Sequence, residues 1–288
     1  MHTSAPLKLE AALYVVATPI GNLRDISLRA LDTLGAADTI AAEDTRNTRH
    51  LLNAHGISDV RLLALHQHNE RGAAEKIIAQ LAQGLSVALV TDAGTPAVSD
   101  PGALLVDAVR AAGFRVIPIP GASAAVAALS ASGLANPHFL FYGFLPNKSS
   151  ARSSALQALI EHPYSLVFYE APHRILECVA DLHAVFGGER ELVLAREITK
   201  LFESIHRCKL ADALDWLNSD PNKQRGEFVL LVSGATPQPE GLSAEAERTL
   251  SLLLEELPLK QAVQLATRIT GLGRNELYQR ALALKDSA

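Results

Sequence analysis

The chain has 288 residues, 48% apolar and 20% charged, with a formal net charge of −5. That is enough apolar material for a sizeable core in about two domains of ordinary size, and no apolar run approaches the length of a membrane span. The negative balance argues against a protein that coats nucleic acid by charge alone, so a nucleic-acid surface would need local clusters of Arg and Lys.

The opening MHTSAPLKLEAALYVV lacks the basic-then-apolar order of a secretory signal, and residues 1–12 read as a flexible tail. Leu13 to Ala17 reads as a buried strand running into the turn-rich TPIGNLRD. A helix follows from Ser27 to Leu34, with Ser27 a fair N-cap. Thr39 to Ala42 is a second strand, ending in EDTRNTRHLL, and Leu62 to Leu65 a third, ending in HQHNERG. Val87 to Val90 is a fourth, continuously apolar as a strand covered on both faces would be. It runs into TDAGTPAVSDPG, far richer in Gly, Pro and Asp than an ordinary connection needs. The helical run ALLVDAVRAAG closes on Gly113, and a fifth strand, Arg115 to Ile119, ends at Pro120-Gly121. Strands alternating with helices imply parallel βα units.

After the small-residue helix ASAAVAALSAS and the junction GLANP, the alternation resumes. Strands are read at Phe139 to Phe144, Leu166 to Tyr169, Leu192 to Ala195, Phe202 to His206 and Phe228 to Val232. Helices are read at Ser149 to Ile160, Arg174 to Phe186 and Ala211 to Leu217. ATPQPEG, from Ala235 to Gly241, reads as a Pro-rich linker before three helices split by Pro258, Gly271 and Gly273. The fold class expected is α/β: two α/β domains (13–121 and 122–235) with a ligand cleft between them, plus a small helical domain (242–288). Cys178 and Cys208 are isolated, which is no disulfide framework and fits a reducing cytoplasm.

If the strands of the first unit are parallel, TPIGN, EDTRNTR, HQHNE and TDAGTPAVSD all lie on one sheet edge, where open α/β sheets bind ligands. FYEAPHR and AREITK follow strands of the second unit. No P-loop, G-x-G-x-x-G after the first strand, or G-x-S-x-G is present, which disfavours an NAD-dependent oxidoreductase and an esterase. His66 and His68 alternate on a strand without a cysteine near, so hydrogen bonding outweighs metal ligation there, and no metal is expected. A loop with little side chain and many backbone N–H and C=O groups can hold a nucleoside or amino-acid moiety closely. PGASAA opens a helix, where free N–H groups favour a carboxylate, and Tyr169 offers a ring face. S-adenosylmethionine and ATP-derived ligands would both satisfy these groups.

The stretches VVATPIGNLRDISLRAL, AAEDTRNTRHLL, HQHNE, ALVTDAGTPAVSDPG, PIPGASAAVAAL, GFLP, FYEAPHR, LAREITKLFE, RGEFVLLV and LPLKQAVQLATRITGLGRNELYQRAL run nearly end to end. Together they resemble the tetrapyrrole methylase superfamily, and within it the bacterial branch that methylates ribose 2′-hydroxyl groups of 16S ribosomal RNA. The family often has Ser where this chain has Thr91, which keeps the hydroxyl. The resemblance implies a tetrapyrrole-methylase-like fold, S-adenosylmethionine in the cleft, a homodimer, and as acceptor a cytidine in the decoding centre of the small ribosomal subunit. Carried over by motif, the cofactor contacts are Pro19, Asp92, Gly94, Thr95, Val98, Ser123, Ala124, Tyr169 and Ala195.

The EDTR loop supplies the candidates for chemistry at the acceptor: Asp44 chiefly, then Glu43, with Arg46 beside them. The alternative for Asp44 is a helix cap. Arg24, Arg46, Arg49, Lys148, Arg152, Arg174, Arg196 and Lys200 fall in or beside the loops and are the candidates for RNA contact. The alternative is pairing with Asp25, Glu43, Glu170 and Glu197, Arg196–Glu197 foremost. In the helical tail, Lys260, Arg268, Arg274 and Arg280 are read as further RNA contacts or as a solvated cap. The rival functions are methylation of a corrin precursor and a non-catalytic RNA-binding or assembly protein on the same fold.

Overall fold

The computed structural model describes residues 8–66, 69–235, 242 and 244–286. Residues 1–235 form one compact unit and residues 236–288 a second. His68, and the linker from residue 236 to 241, lie outside the described residues.

The first sheet holds β1 (Ala12–Val16), β2 (Thr39–Ala42), β3 (Arg61–Ala64), β4 (Val87–Val90) and β5 (Arg115–Ile119), in the order β3-β2-β4-β1-β5. Every pairing is parallel. The helices α1 (Leu28–Ala36), α2 (Thr45–Ala54), α3 (Glu70–Ala82) and α4 (Ala103–Ala111) make the connections. Apolar clusters occupy both faces: Tyr14, Leu34 and Ile40 on one, Leu13, Ile77, Leu89 and Leu105 on the other. This is why β2 and β4, buried at every residue, carry no polar side chain beyond Thr39. Ser27 accepts from the Ala30 N–H and caps α1 as its position suggested. The tail is shorter than expected: Leu9 packs against the core, and Glu10 pairs with Arg115.

A short helix α5 (Ala124–Ala131) leads to the second sheet. It holds β6 (Phe139–Phe144), β7 (Ser165–Glu170), β8 (Glu191–Arg196), β9 (Ser204–Lys209) and β10 (Phe228–Val232). Helices α6 (Ser149–Gln157), α7 (Ile175–Phe186) and α8 (Leu210–Asn218) cover it, and the order is β6-β7-β10-β8-β9. This sheet is mixed, not parallel throughout: only β6 and β7 pair in parallel, and β10 runs antiparallel between β7 and β8. The link from β8 to β9, residues 197–203, is too short for a parallel crossover, so β9 must turn back.

In the second unit, α9 (Ala244–Glu256), α10 (Leu259–Thr270) and α11 (Arg274–Asp286) pack around Leu242, Ala246, Leu250, Val263, Leu277 and Ala281. Gly271 ends α10 in the left-handed conformation. Arg280 is tied to Glu247, whereas Lys260, Arg268 and Arg274 are exposed. Among the described residues no helix is long and apolar enough to cross a membrane.

Candidate active site

The loops after β1, β4 and β5 are stitched together at the carboxyl edge of the first sheet. Thr18 and Gly94 exchange backbone hydrogen bonds of 2.9 and 3.1 Å. The Thr18 hydroxyl donates to the Thr91 carbonyl, and the Thr95 hydroxyl donates to the Ala122 carbonyl. Facing them across a cleft of about 320 Å³ are the ends of β6, β7, β8 and β10. Six of the nine residues expected at a cofactor line this cleft: Gly94, Thr95, Val98, Ser123, Ala124 and Tyr169. Pro19 and Ala195 are buried beneath, and Asp92 lies outside the lining.

Tyr169 does double duty. Its ring lines the cleft, edge-on to Phe141 and Phe144, while its hydroxyl accepts the Ala125 N–H at 3.2 Å. That bond serves the first turn of α5, where Ser123 makes no cap of its own. Burial pushes the Tyr169 phenol above its ordinary pKa.

The EDTR loop resolves towards its alternative reading. Asp44 is the N-cap of α2: it accepts the Arg46 N–H at 2.8 Å and pairs with the Arg46 guanidinium at 2.6 Å. Those hydrogen bonds hold its carboxyl down at about 2, far from a useful general base. Asp92 accepts from the Asp44 N–H and from the Asn47 amide, which anchors the start of α2 to the end of β4. Glu43 accepts the Asp92 N–H, and its carboxyl is pushed up by burial and by the charges of Asp92 and Asp44.

Asp100 was not among the expected site residues. It lines the cleft, and burial, then the charges of Glu43 and Asp92, push it up to about 6. Its signal was present in the sequence as the second Asp of TDAGTPAVSDPG. Ile20, Phe144, Glu197 and Glu227 also line the cleft; they lie in the TPIGN, GFLP, AREITK and RGEFVLLV stretches, but none is among the expected cofactor contacts.

The basic residues divide. Arg24, Arg49 and Lys148 are exposed, and Arg46 is exposed but paired. Arg152 is a correction: its side chain is 0% exposed and bonded to Asp181 at 2.6 Å, so it has no surface to offer an RNA. Arg174 is another correction. It pairs with Glu170 at 3.2 Å and donates to the carbonyls of Leu145 and Pro146 and to Asn147, pinning the GFLP loop. Arg196 is structural, but through Ser204 and the carbonyls of Asn222 and Arg225 in place of Glu197. Glu197 is bonded to Lys200, which also holds Glu227. Among the described residues no group of three or more His, Cys, Asp and Glu could hold a metal ion.

Residues 12–214 match the family model of tetrapyrrole (corrin/porphyrin) methylases, and residues 240–285 match that of the RsmI C-terminal HTH domain. A protein of Pseudomonas aeruginosa named ribosomal RNA small subunit methyltransferase I is 54% identical over 94% of this chain and 96% of its own length. The protein of the same name in Escherichia coli O157:H7 is 51% identical, covering 98% of both chains. Among solved structures, the methyltransferase CobJ superposes with a TM-score of 0.59 at 21% identity, over 80% of this chain and 97% of that one. Uroporphyrin-III C-methyl transferase from Thermus thermophilus, complexed with S-adenyl homocysteine, does so at 0.54 and 15% identity, over 77% and 97%. These last two likenesses carry the fold alone. The chain is a methyltransferase of the tetrapyrrole methylase family, in the branch of the ribosomal RNA small subunit methyltransferases I.

Proposed function

We propose that this enzyme transfers a methyl group from S-adenosylmethionine to the ribose 2′-hydroxyl of a decoding-centre cytidine in 16S ribosomal RNA, in the cytoplasm and as a homodimer. The support for the RNA acceptor is near-full-length identity of about half to relatives that bear a small-subunit rRNA methyltransferase name.

The observation that carries the cofactor reading is the character of the cleft. One wall is backbone and small side chains, Gly94, Thr95, Ser123 and Ala124. The other carries the aromatic and apolar Phe144, Tyr169, Phe228 and Val229 beside the charged Glu170, Glu197, Lys200 and Glu227, while Asp100, on the same loop as Gly94 and Thr95, has a raised pKa and carboxylate neighbours in Glu43 and Asp92. A cationic ligand is what such a carboxylate lacks, and S-adenosylmethionine carries a sulfonium and an ammonium. The cofactor, when bound, supplies an electrophilic methyl group. The residues of this chain hold it between the two sheets, exclude water with Ile20, Phe144 and Phe228, and leave Asp100 and Glu43 as the carboxylates able to take the acceptor's proton. Asp44 and Arg46 support the loop. Arg24, Arg46, Arg49 and Lys148 are the surface cations that would meet phosphates.

The test uses labelled S-adenosylmethionine and small subunits from a strain lacking the enzyme, with label mapped by nuclease digestion and mass spectrometry. Label on one cytidine ribose is expected. No label in RNA, with cofactor binding intact by calorimetry, would overturn the acceptor and return the corrin-precursor reading.

A further inference from the structure

The loop from Ala93 to Gly102 holds a conformation that L-residues adopt only at a cost. Ala97 and Ser99 have φ of 66° and 64°, and Gly102 has φ of 125°. A Cβ at Gly102 would meet the Leu89 side chain at 2.8 Å, so any other residue there would be strained and would force buried Leu89 to shift. Such strain persists only where the surroundings over-determine it. At the near end the surroundings are the Thr18–Gly94 exchange and the Thr95–Ala122 bond. In the middle the Ala97 N–H donates to the Pro101 carbonyl at 3.3 Å.

The far end is held from another element. Glu70, the first residue of α3, is 7% exposed. Its Oε1 accepts the Gly102 N–H at 3.0 Å and the Leu105 N–H at 3.1 Å. These are among the free donors at the start of α4, where Gly102 occupies the N-cap position and has no side chain to satisfy them. Glu70 thus caps a helix to which it does not belong. Its own position is fixed by the turn before it: Asn69 accepts the His66 N–H at 2.8 Å and donates to the Ala64 carbonyl at 3.0 Å. The HQHNE stretch, which offers no described metal site, thereby acquires a job at the cleft.

We infer that Glu70 is a positioning residue for the cofactor loop: its buried carboxylate fixes Gly102 and Leu105, and through them the strained segment that carries Val98, Ser99 and Asp100 into the cleft. This rests on the cofactor reading proposed above. Glu70 is not among the residues lining the cleft, so its effect falls on cofactor affinity and spares the chemical step.

The experiment compares the full-length wild type with Glu70→Gln, Glu70→Asp and Glu70→Ala. It measures S-adenosylmethionine affinity by calorimetry, thermal unfolding, amide hydrogen exchange at Gly102 and Leu105, and kcat at saturating cofactor. Glu70→Ala should weaken cofactor binding about 10-fold or more, because two buried donors lose their acceptor. Protection at Gly102 and Leu105 should fall, while kcat at saturation stays within about 3-fold of wild type. Glu70→Gln keeps the accepting oxygen and should restore affinity. If Glu70→Ala does not fold, Glu70→Asp, one methylene short of the amides, should show the same affinity loss in a folded chain. A lower unfolding temperature with unchanged cofactor affinity would make Glu70 a helix cap only and overturn the inference. A wild type that binds no S-adenosylmethionine would instead overturn the cofactor reading itself.

Discussion

The stem of Lys200 lies directly across Gly21: a Cβ on Gly21 would come 2.5 Å from Lys200 Cγ and 2.7 Å from its Cε. Gly21 belongs to the loop after β1 of the first sheet, Lys200 to the loop after β8 of the second, and the Thr199 hydroxyl donates to Asp25 alongside. The two loops therefore seat on each other at the edge of the cleft, which Ile20 and Lys200 both line. The ammonium end is held by Glu197 at 2.9 Å and Glu227 at 2.8 Å.

Gly21→Ala should accordingly act on the cleft and on stability together. The new methyl must push aside the Lys200 stem, whose ammonium holds the two carboxylates, and the backbone at Gly21 has φ of 150°, outside the comfortable range of alanine. A loss of about 1–3 kcal/mol in stability is expected, the range for a side chain forced into such a region. Thermal unfolding and a calorimetric titration with S-adenosylmethionine check it. An unfolding temperature and an affinity both equal to wild type would mean that the loops give way without consequence.

Asp44→Asn separates a cap from a base. Asparagine caps helices about as well as aspartate, so the variant should fold like wild type and keep near-normal turnover at saturating cofactor. The pH–rate profile should keep its shape, because a carboxyl already held at about 2 by Arg46 does not titrate where the enzyme works. A general base in reach contributes about 10²–10⁴-fold. A fall in kcat of that size with cofactor affinity intact would restore Asp44 to the chemistry.

Much of this site could be read in the chain because its loops are unlike ordinary connections. TDAGTPAVSDPG and PGASAA declare themselves by Gly and Pro, and parallel topology then gathers them on one edge. Strand direction in the second sheet could not be read in the same way. The run FVLLV of β10 says that the strand is buried on both faces and nothing about which way it points. The start of β9 was misplaced for a related reason. Phe202 looks like the first residue of an apolar strand, but it is 66% exposed and lies in the turn that precedes Ser204. The charged residues were hardest. Arg49 and Arg152 both sit early in helices and look alike in the chain. Only packing shows that Arg152 meets Asp181 of α7 while Arg49 faces solvent.

That contrast is itself testable. Arg152→Ala removes a fully buried side chain and leaves Asp181, which is 18% exposed and keeps the Ser149 hydroxyl, without its cation; a loss of up to about 3 kcal/mol is expected. The unfolding temperature should drop sharply, while the RNA affinity of the folded protein is unchanged. Arg49→Ala should do the reverse. Stability should hold, and the slope of log affinity against log salt should shrink by about 0.7–0.9, the share of one phosphate contact. Filter-binding of small-subunit RNA across a salt series separates the two. A salt slope changed by Arg152→Ala and not by Arg49→Ala would reverse the assignment.

Asp100 gives the cleft a dependence on pH whose sign can be worked out. Its carboxyl is raised from the ordinary 3.8 to about 6, by burial first and then by Glu43 and Asp92. Between those values the native state binds a proton that the unfolded chain has released, so the native state loses stability as pH rises through about 6. Below the ordinary value both states are protonated and the penalty is absent. Asp100→Asn should therefore raise the unfolding temperature at about pH 8 and leave it nearly unchanged at about pH 3. Cofactor affinity runs the other way. A cationic ligand favours the ionised carboxylate, so wild-type affinity should fall as pH drops through about 6, with proton uptake by the free protein opposing binding. In Asp100→Asn the affinity should be lower throughout, and that step in its pH profile should vanish. Calorimetric titrations in two buffers of different ionisation enthalpy would reveal the released proton. A wild-type profile flat across this range, or an Asn variant no more stable at about pH 8, would mean that the Asp100 carboxyl is not raised in the native state.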